Sequence, residues 1–74
     1  MTTQRLTLAV ADLIDGDTIA HDPQHRFPIG AEVLGYPHAV KGMPGTVLPL
    51  DNKGLLMGVY TNNSEHPVDI LREV

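Results

Sequence analysis

Prolines and glycines set the first limit on this chain. Six prolines and seven glycines are spread through 74 residues, and a proline inside a helix removes a backbone donor and clashes with the preceding turn. No stretch keeps a helical spacing of apolar residues for three turns, and from Gly16 onward one of these breakers recurs at least every nine residues up to Pro67. Between them the apolar residues alternate. In residues 5–10, Leu6, Leu8 and Val10 stand against Arg5, Thr7 and Ala9. Period two puts alternate side chains on opposite faces, which is the pattern of a strand with one covered side. An all-β fold is expected.

The remaining strands follow the same logic. Residues 17–20 (DTIA) predict a second short strand that stops before Pro23, and residues 22–30 a loop held between prolines. Residues 31–36 (AEVLGY) predict a third strand, closed by Pro37, and residues 37–45 another loop. Residues 46–50 run into Asp51-Asn52-Lys53-Gly54, which suits a type I turn followed by a left-handed glycine. The outgoing strand, residues 55–62, carries Leu55, Met57 and Val59 on one face and Leu56, Gly58 and Tyr60 on the other. Both faces are apolar, so this strand should be central, or covered on one side by a second chain. Gly58 marks a bend or a close approach of another group. Residues 62–67 form a polar turn, and residues 68–74 a last strand or a single helical turn. About five or six short antiparallel strands with frequent turns predict a sandwich or small barrel. At this length a barrel is favoured, because closure removes exposed edges.

A chain this short forms one domain, residues 1–74, with a modest core. Small scaffolds offset that shortfall with disulfides, a metal or self-association. There is no cysteine, which leaves a His/carboxylate metal site or an oligomer. No apolar run approaches the roughly 20 residues that span a bilayer, and no signal-peptide pattern opens the sequence. A cytoplasmic protein without membrane contact is expected. The net charge is −4, and the acidity is local: Arg5 alone faces Asp12, Asp15, Asp17 and Asp22. The basic residues are never adjacent, so the patch needed to displace counterions from phosphates is not legible. A nucleic-acid partner is not expected.

From Phe27 onward the chain resembles an SH3-like small barrel. "FPIGAEV" is similar to the F-x-x-G-x-x-V entry of that superfamily, and "GMPGTVLPLDNKGLLMGVYTN" resembles the G-x-x-G-x-V strand, turn and long strand of KOW modules. The resemblance implies an SH3-like core over residues 27–74, preceded by a strand pair and loop over residues 1–26. KOW modules contact RNA or polymerase through basic loops, and Lys41 and His38 occupy the matching loop here. "SEHPVDIL" looks like a segment of type II dihydrofolate reductases, tetrameric barrels with a central pore. That likeness implies His66 and Asp69 as pore residues, although Asp69 and Leu71 stand where that family has glutamine and tyrosine. "HDPQH" and "KGMPGTV" are similar to the variable chain of ferredoxin–thioredoxin reductase, an accessory barrel docked on a catalytic subunit.

The segment "DLIDGDTIAHD", residues 12–22, is the densest in chemistry. Its "DGDT" also occurs in staphylococcal-type nucleases, whose further arginines, glutamate and longer chain have no match here. His21, Asp22 and His25 supply imidazole and carboxylate, the donors zinc or nickel would take. The simpler reading is a strand, a tight turn and a strand, with Asp12 and Asp15 accepting nearby backbone N–H bonds. Ser64 and His66 lack a third group to orient them as a catalytic dyad, and Asp69 between Val68 and Ile70 is expected to face solvent.

The expected function is a non-enzymatic interaction or accessory-subunit module, self-associating, with no catalytic residue and no cofactor. Tyr36, Leu56, Tyr60 and Ile70 are its candidate interface residues, since tyrosine joins apolar area to a polar tip. The alternatives are a pore-type oligomeric enzyme using His66 and Asp69, and a KOW-like RNA or ribosome contact.

Overall fold

The computed structural model describes residues 2–73 and is all-β. Six strands form one antiparallel sheet: β1 (Thr3–Ala9), β2 (Thr18–His21), β3 (Glu32–Val33), β4 (Thr46–Asn52), β5 (Leu55–Thr61) and β6 (Pro67–Glu73). Their order is β1-β6-β2-β3-β4-β5. From β2 to β5 the strands follow the chain, and β6 returns to lie between β1 and β2. The two N-terminal strands thus flank β6 rather than each other. A short 3-10 turn, Val10–Asp12, leaves β1 and touches β4, so the sheet curls over its own core.

The expected closed barrel is not what forms. β1 and β5 are the two ends of the sheet, and no ladder joins them. β5 packs chiefly on β4, which leaves its far side open. No helix among the described residues is long and apolar enough to cross a membrane.

Alternation builds the core. Leu48 and Leu50 of β4, Val68 and Ile70 of β6, Ile19 of β2 and Val33 of β3 turn inward and are buried with Val10, Leu13, Phe27 and Ala31. Leu6, Leu8, Met57 and Val59 pack against this cluster from the two end strands. Full burial of such a side chain is worth roughly 1.5–3 kcal/mol.

Several local expectations are revised. Residues 34–36 are not strand; β3 ends at Val33. That early end accounts for Pro49 inside β4. Leu34 N–H donates to the Pro49 carbonyl, and Pro49 stands just past the end of the β3 ladder, where a missing N–H interrupts no further pairing with β3. The β4–β5 turn has two loop residues, Lys53 and Gly54, both at positive φ (54° and 89°). That is a type I′ turn, whose twist matches paired strands better than type I, and the Asp51 carboxylate accepts the Gly54 N–H at 2.8 Å. The final segment is strand, not helix; Val74, at its expected end, lies outside the described residues.

Candidate functional site

Of the four aspartates in residues 12–22, Asp17 and Asp22 are the buried ones. Asp22 follows β2 and begins the Pro23 loop. Its Oδ1 accepts the Gln24 N–H at 3.0 Å, and its Oδ2 accepts those of Arg26 and Phe27 at 2.6 and 2.9 Å. His66, in the turn before β6, donates from Nε2 to Asp22 Oδ1 at 2.7 Å. The Phe27 ring lies tilted beside the imidazole, 5.9 Å between centroids. One carboxylate therefore ties a loop backbone to a turn 44 residues further along the chain.

Asp17 works in a similar way. It accepts the Ile14 N–H and pairs with both Nε and Nη2 of Arg72, at 2.9 and 2.8 Å. Asp15 reaches the Gly35 N–H. On the outer face of β6, Asp69 accepts from Arg5 at 3.0 Å and Thr7 at 2.6 Å, with His21 Nδ1 at 3.8 Å. Asp69 is thus part of a cross-strand polar cluster rather than free in solvent. A bulge in β2 between Ile19 and His21 brings His21 opposite Asp69.

These contacts set the acid response of the fold. Burial pushes the Asp22 carboxyl up, but hydrogen bonds from Gln24, Phe27, His66 and Arg26 outweigh it and hold it below its ordinary 3.8. The Thr7 hydroxyl and Arg5 hold Asp69 below its ordinary value as well. In acid the unfolded chain then binds more protons than the native one, so stability rises with pH in that window. The contribution should be complete above about pH 5 and fall away as pH drops through the lowered native values. Urea midpoints at neutral pH and stepwise down to about pH 3 check this. Asp22→Asn should flatten the slope, and an unchanged slope would contradict the assignment.

The metal trio does not assemble. Asp22 is buried and fully engaged, His21 leans toward Asp69, and His25 is exposed at a positive φ. Among the described residues no group of three or more His, Asp or Glu side chains is placed to hold a metal ion. The pore pair is also divided. His66 is buried on the core side, whereas Asp69 points to the outer face. Ser64 Oγ pairs with Thr46 Oγ1 at 2.6 Å, away from any base. An open cleft of about 390 Å³ lies between Thr3, Gly16, Thr18, Glu32, Leu71 and Glu73, with Thr3 opposite Glu73 and Thr18 opposite Glu32 on neighbouring strands.

The candidate interface residues divide too. Ile70 is fully buried in the core and offers no surface, because period two turns residues 68 and 70 inward and leaves Leu71 half outside. Tyr36 is 66 % exposed in the loop after β3. Leu56 and Tyr60 lie on the outer face of β5, opposite Asp51 and Val47 of β4. Leu56 is 70 % exposed, and the Tyr60 hydroxyl donates to the Pro44 carbonyl.

β5 is an end strand, so of the two arrangements its apolar faces predict, central or covered by a second chain, the central one does not form. Val47 of β4 exchanges both backbone bonds with His38, so Tyr60 opposite it turns its own N–H and C=O away from β4. By the same alternation Gly58 and Leu56 do likewise. The free edge therefore shows the backbone groups of Leu56, Gly58 and Tyr60, of which the Tyr60 carbonyl accepts from Arg26 Nη1 at 2.9 Å. Residues 55–61 contain no proline and no acidic or basic side chain. At the hairpin end Leu55 and Leu56 stand out side by side.

No protein-family model matches the chain, and no curated protein or solved structure matches it.

Proposed function

We propose that this chain is a non-enzymatic protein-interaction module that binds a protein partner, its own copies included, through the open edge and outer face of β5. The observation that carries this reading is an uncharged, proline-free strand left at the end of a sheet. Native proteins usually guard such edges with charge, proline or a covering segment, because unpaired N–H and C=O groups are a template for another strand. β-strand addition is a recurring mode of protein recognition: the main chain supplies affinity and alternate side chains supply specificity. Leu56 and Tyr60 would be those side chains here.

Two further features support the reading. The polar clusters of the molecule are consumed internally: Asp17, Asp22 and Asp69 each bind groups of this chain, and Arg5, Arg26 and Arg72 do the same. That leaves Lys41 and Lys53 as the remaining basic side chains, which does not favour a phosphate-binding role. The SH3-like kinship belongs to the same proposal, supported by the positive φ of Gly42 and Gly45 in "GMPGTV". A cytoplasmic location belongs to it as well, in keeping with a chain without cysteine.

A photoreactive benzophenone residue at position 56 tests the reading. Irradiation of the protein, purified and in its host cell, should yield a covalent protein adduct from position 56. The same group at position 4, on the exposed β1 strand, should yield little. Equal or absent adducts at the two positions would reject the β5 surface.

A further inference from the structure

We infer that Arg26 guards the β5 edge: from the loop after β2, its guanidinium closes the Tyr60 end of that edge to a second strand. This goes beyond the interaction role, because it concerns what limits the edge rather than what binds it. The backbone groups of Leu56, Gly58 and Tyr60 face away from β4. Arg26 Nη1 donates to the outward Tyr60 carbonyl at 2.9 Å, across 34 residues of chain. A strand added beside β5 would lie about 4.7–4.9 Å away, and would either displace that donor or cover the guanidinium. Among the described residues no carboxylate pairs with Arg26, and covering an unpaired charge is costly. Free pairing is left to residues 56–58, about the shortest length a strand takes.

The loop is built to hold Arg26 there. Its N–H donates to Asp22 Oδ2 at 2.6 Å, and the next N–H, that of Phe27, meets the same oxygen at 2.9 Å. The Phe27 side chain is buried in the core beside His66, and His66 Nε2 binds Asp22 in turn. The arginine stem thus leaves the loop at a point fixed on both sides. Tyr60 is fixed as well, since its hydroxyl donates to the Pro44 carbonyl. The opposite end of the sheet carries its guard within the strand. Val10 N–H bonds the His66 carbonyl in register with the β1–β6 ladder, so the backbone groups of Thr3, Arg5 and Thr7 face outward on β1, with Arg5 in their middle. Charge on an edge strand discourages pairing with another chain. Residues 55–61 have no charge of their own, and Arg26 brings one to them from elsewhere in the chain.

Aggregation kinetics on the whole chain test the guard. Arg26→Gln keeps a polar stem and removes the charge. It also makes the chain more acidic, which by itself opposes aggregation. Agitated at the same concentration, it should nonetheless form thioflavin-binding aggregates about tenfold faster than the unsubstituted protein, or more. Arg26→Lys, which keeps a charged donor, should stay near the unsubstituted rate. Leu56→Lys added to Arg26→Gln puts a charge on the strand itself and should remove the gain. That double variant also covers the case in which Arg26→Gln loosens the fold: Leu56 is 70 % exposed, so lysine there cannot rebuild the loop. A gain that it removes still belongs to the β5 edge. A gain that it leaves, or an Arg26→Gln protein that aggregates no faster than the unsubstituted one, overturns the guard. The position-56 adduct is read with Arg26 in place and tests the interaction role separately, so either claim can fail alone.

Discussion

Replacing Asp22 by alanine is expected to cost about 3–5 kcal/mol of folding stability, the upper range for breaking a buried hydrogen-bond network. Asp22 is fully buried and holds four donors at once: the N–H groups of Gln24, Arg26 and Phe27, and His66 Nε2. Alanine leaves all four without this partner, the bonds from Phe27 and His66 being buried and those from Gln24 and Arg26 part-buried, and each unsatisfied buried group carries its own desolvation penalty. A domain of this size holds only roughly 4–11 kcal/mol in total. The variant should therefore melt at least about 12 °C lower, or fail to fold at physiological temperature. His66→Ala should cost less, about 1–3 kcal/mol, because Asp22 keeps its three backbone donors. Thermal and urea unfolding followed by circular dichroism decide the matter. An Asp22→Ala loss equal to or smaller than that of His66→Ala would show that the carboxylate does not organise the loop.

The strands were legible because period two is a local property. Leu6, Leu8 and Val10 point inward as their spacing requires, and so do Leu48 with Leu50 and Val68 with Ile70. That same spacing is why Ile70 fails as an interface residue: an inward neighbour two positions away, Val68, commits it to the core. The partners of the buried aspartates were not legible. Nearness along the chain joins Asp22 to His21 and His25, whereas the sheet joins it to His66 through the pairing of β2 with β6. Arg72 meets Asp17 by the same route, across 55 residues. A weak signal existed in Asp22-Pro23, since an aspartate before a loop commonly accepts the following backbone N–H groups. β5 is apolar on both faces, but hydropathy alone does not distinguish a central strand from an uncovered edge.

Gly45→Ala should cost more than about 4 kcal/mol, beyond the usual range of single substitutions, and it bears on the β5 edge directly. Gly45 has φ +98°, a conformation costing an L-residue about 1–2 kcal/mol by itself. A methyl group there would also overlap the Thr61 carbonyl oxygen and lie 2.7 Å from Asn62 Cα. Both neighbours are backbone, so neither can rotate aside. Relief requires β4 and β5 to part at the Thr46–Thr61 end of their ladder. That movement would pull on the Tyr60–Pro44 and Thr46–Ser64 hydrogen bonds. Gly16→Ala separates the two contributions, because Gly16 has a similar φ of +92° with no atom within 4 Å of an added Cβ. It should show only the conformational cost, about 1–2 kcal/mol. Unfolding of the two variants side by side gives the collision energy as their difference. If both lose the same amount, β5 is not pinned at Gly45. If Gly45→Ala alone collapses the fold, the close approach of these two backbones is what fixes the end of the strand on which the proposed interface depends.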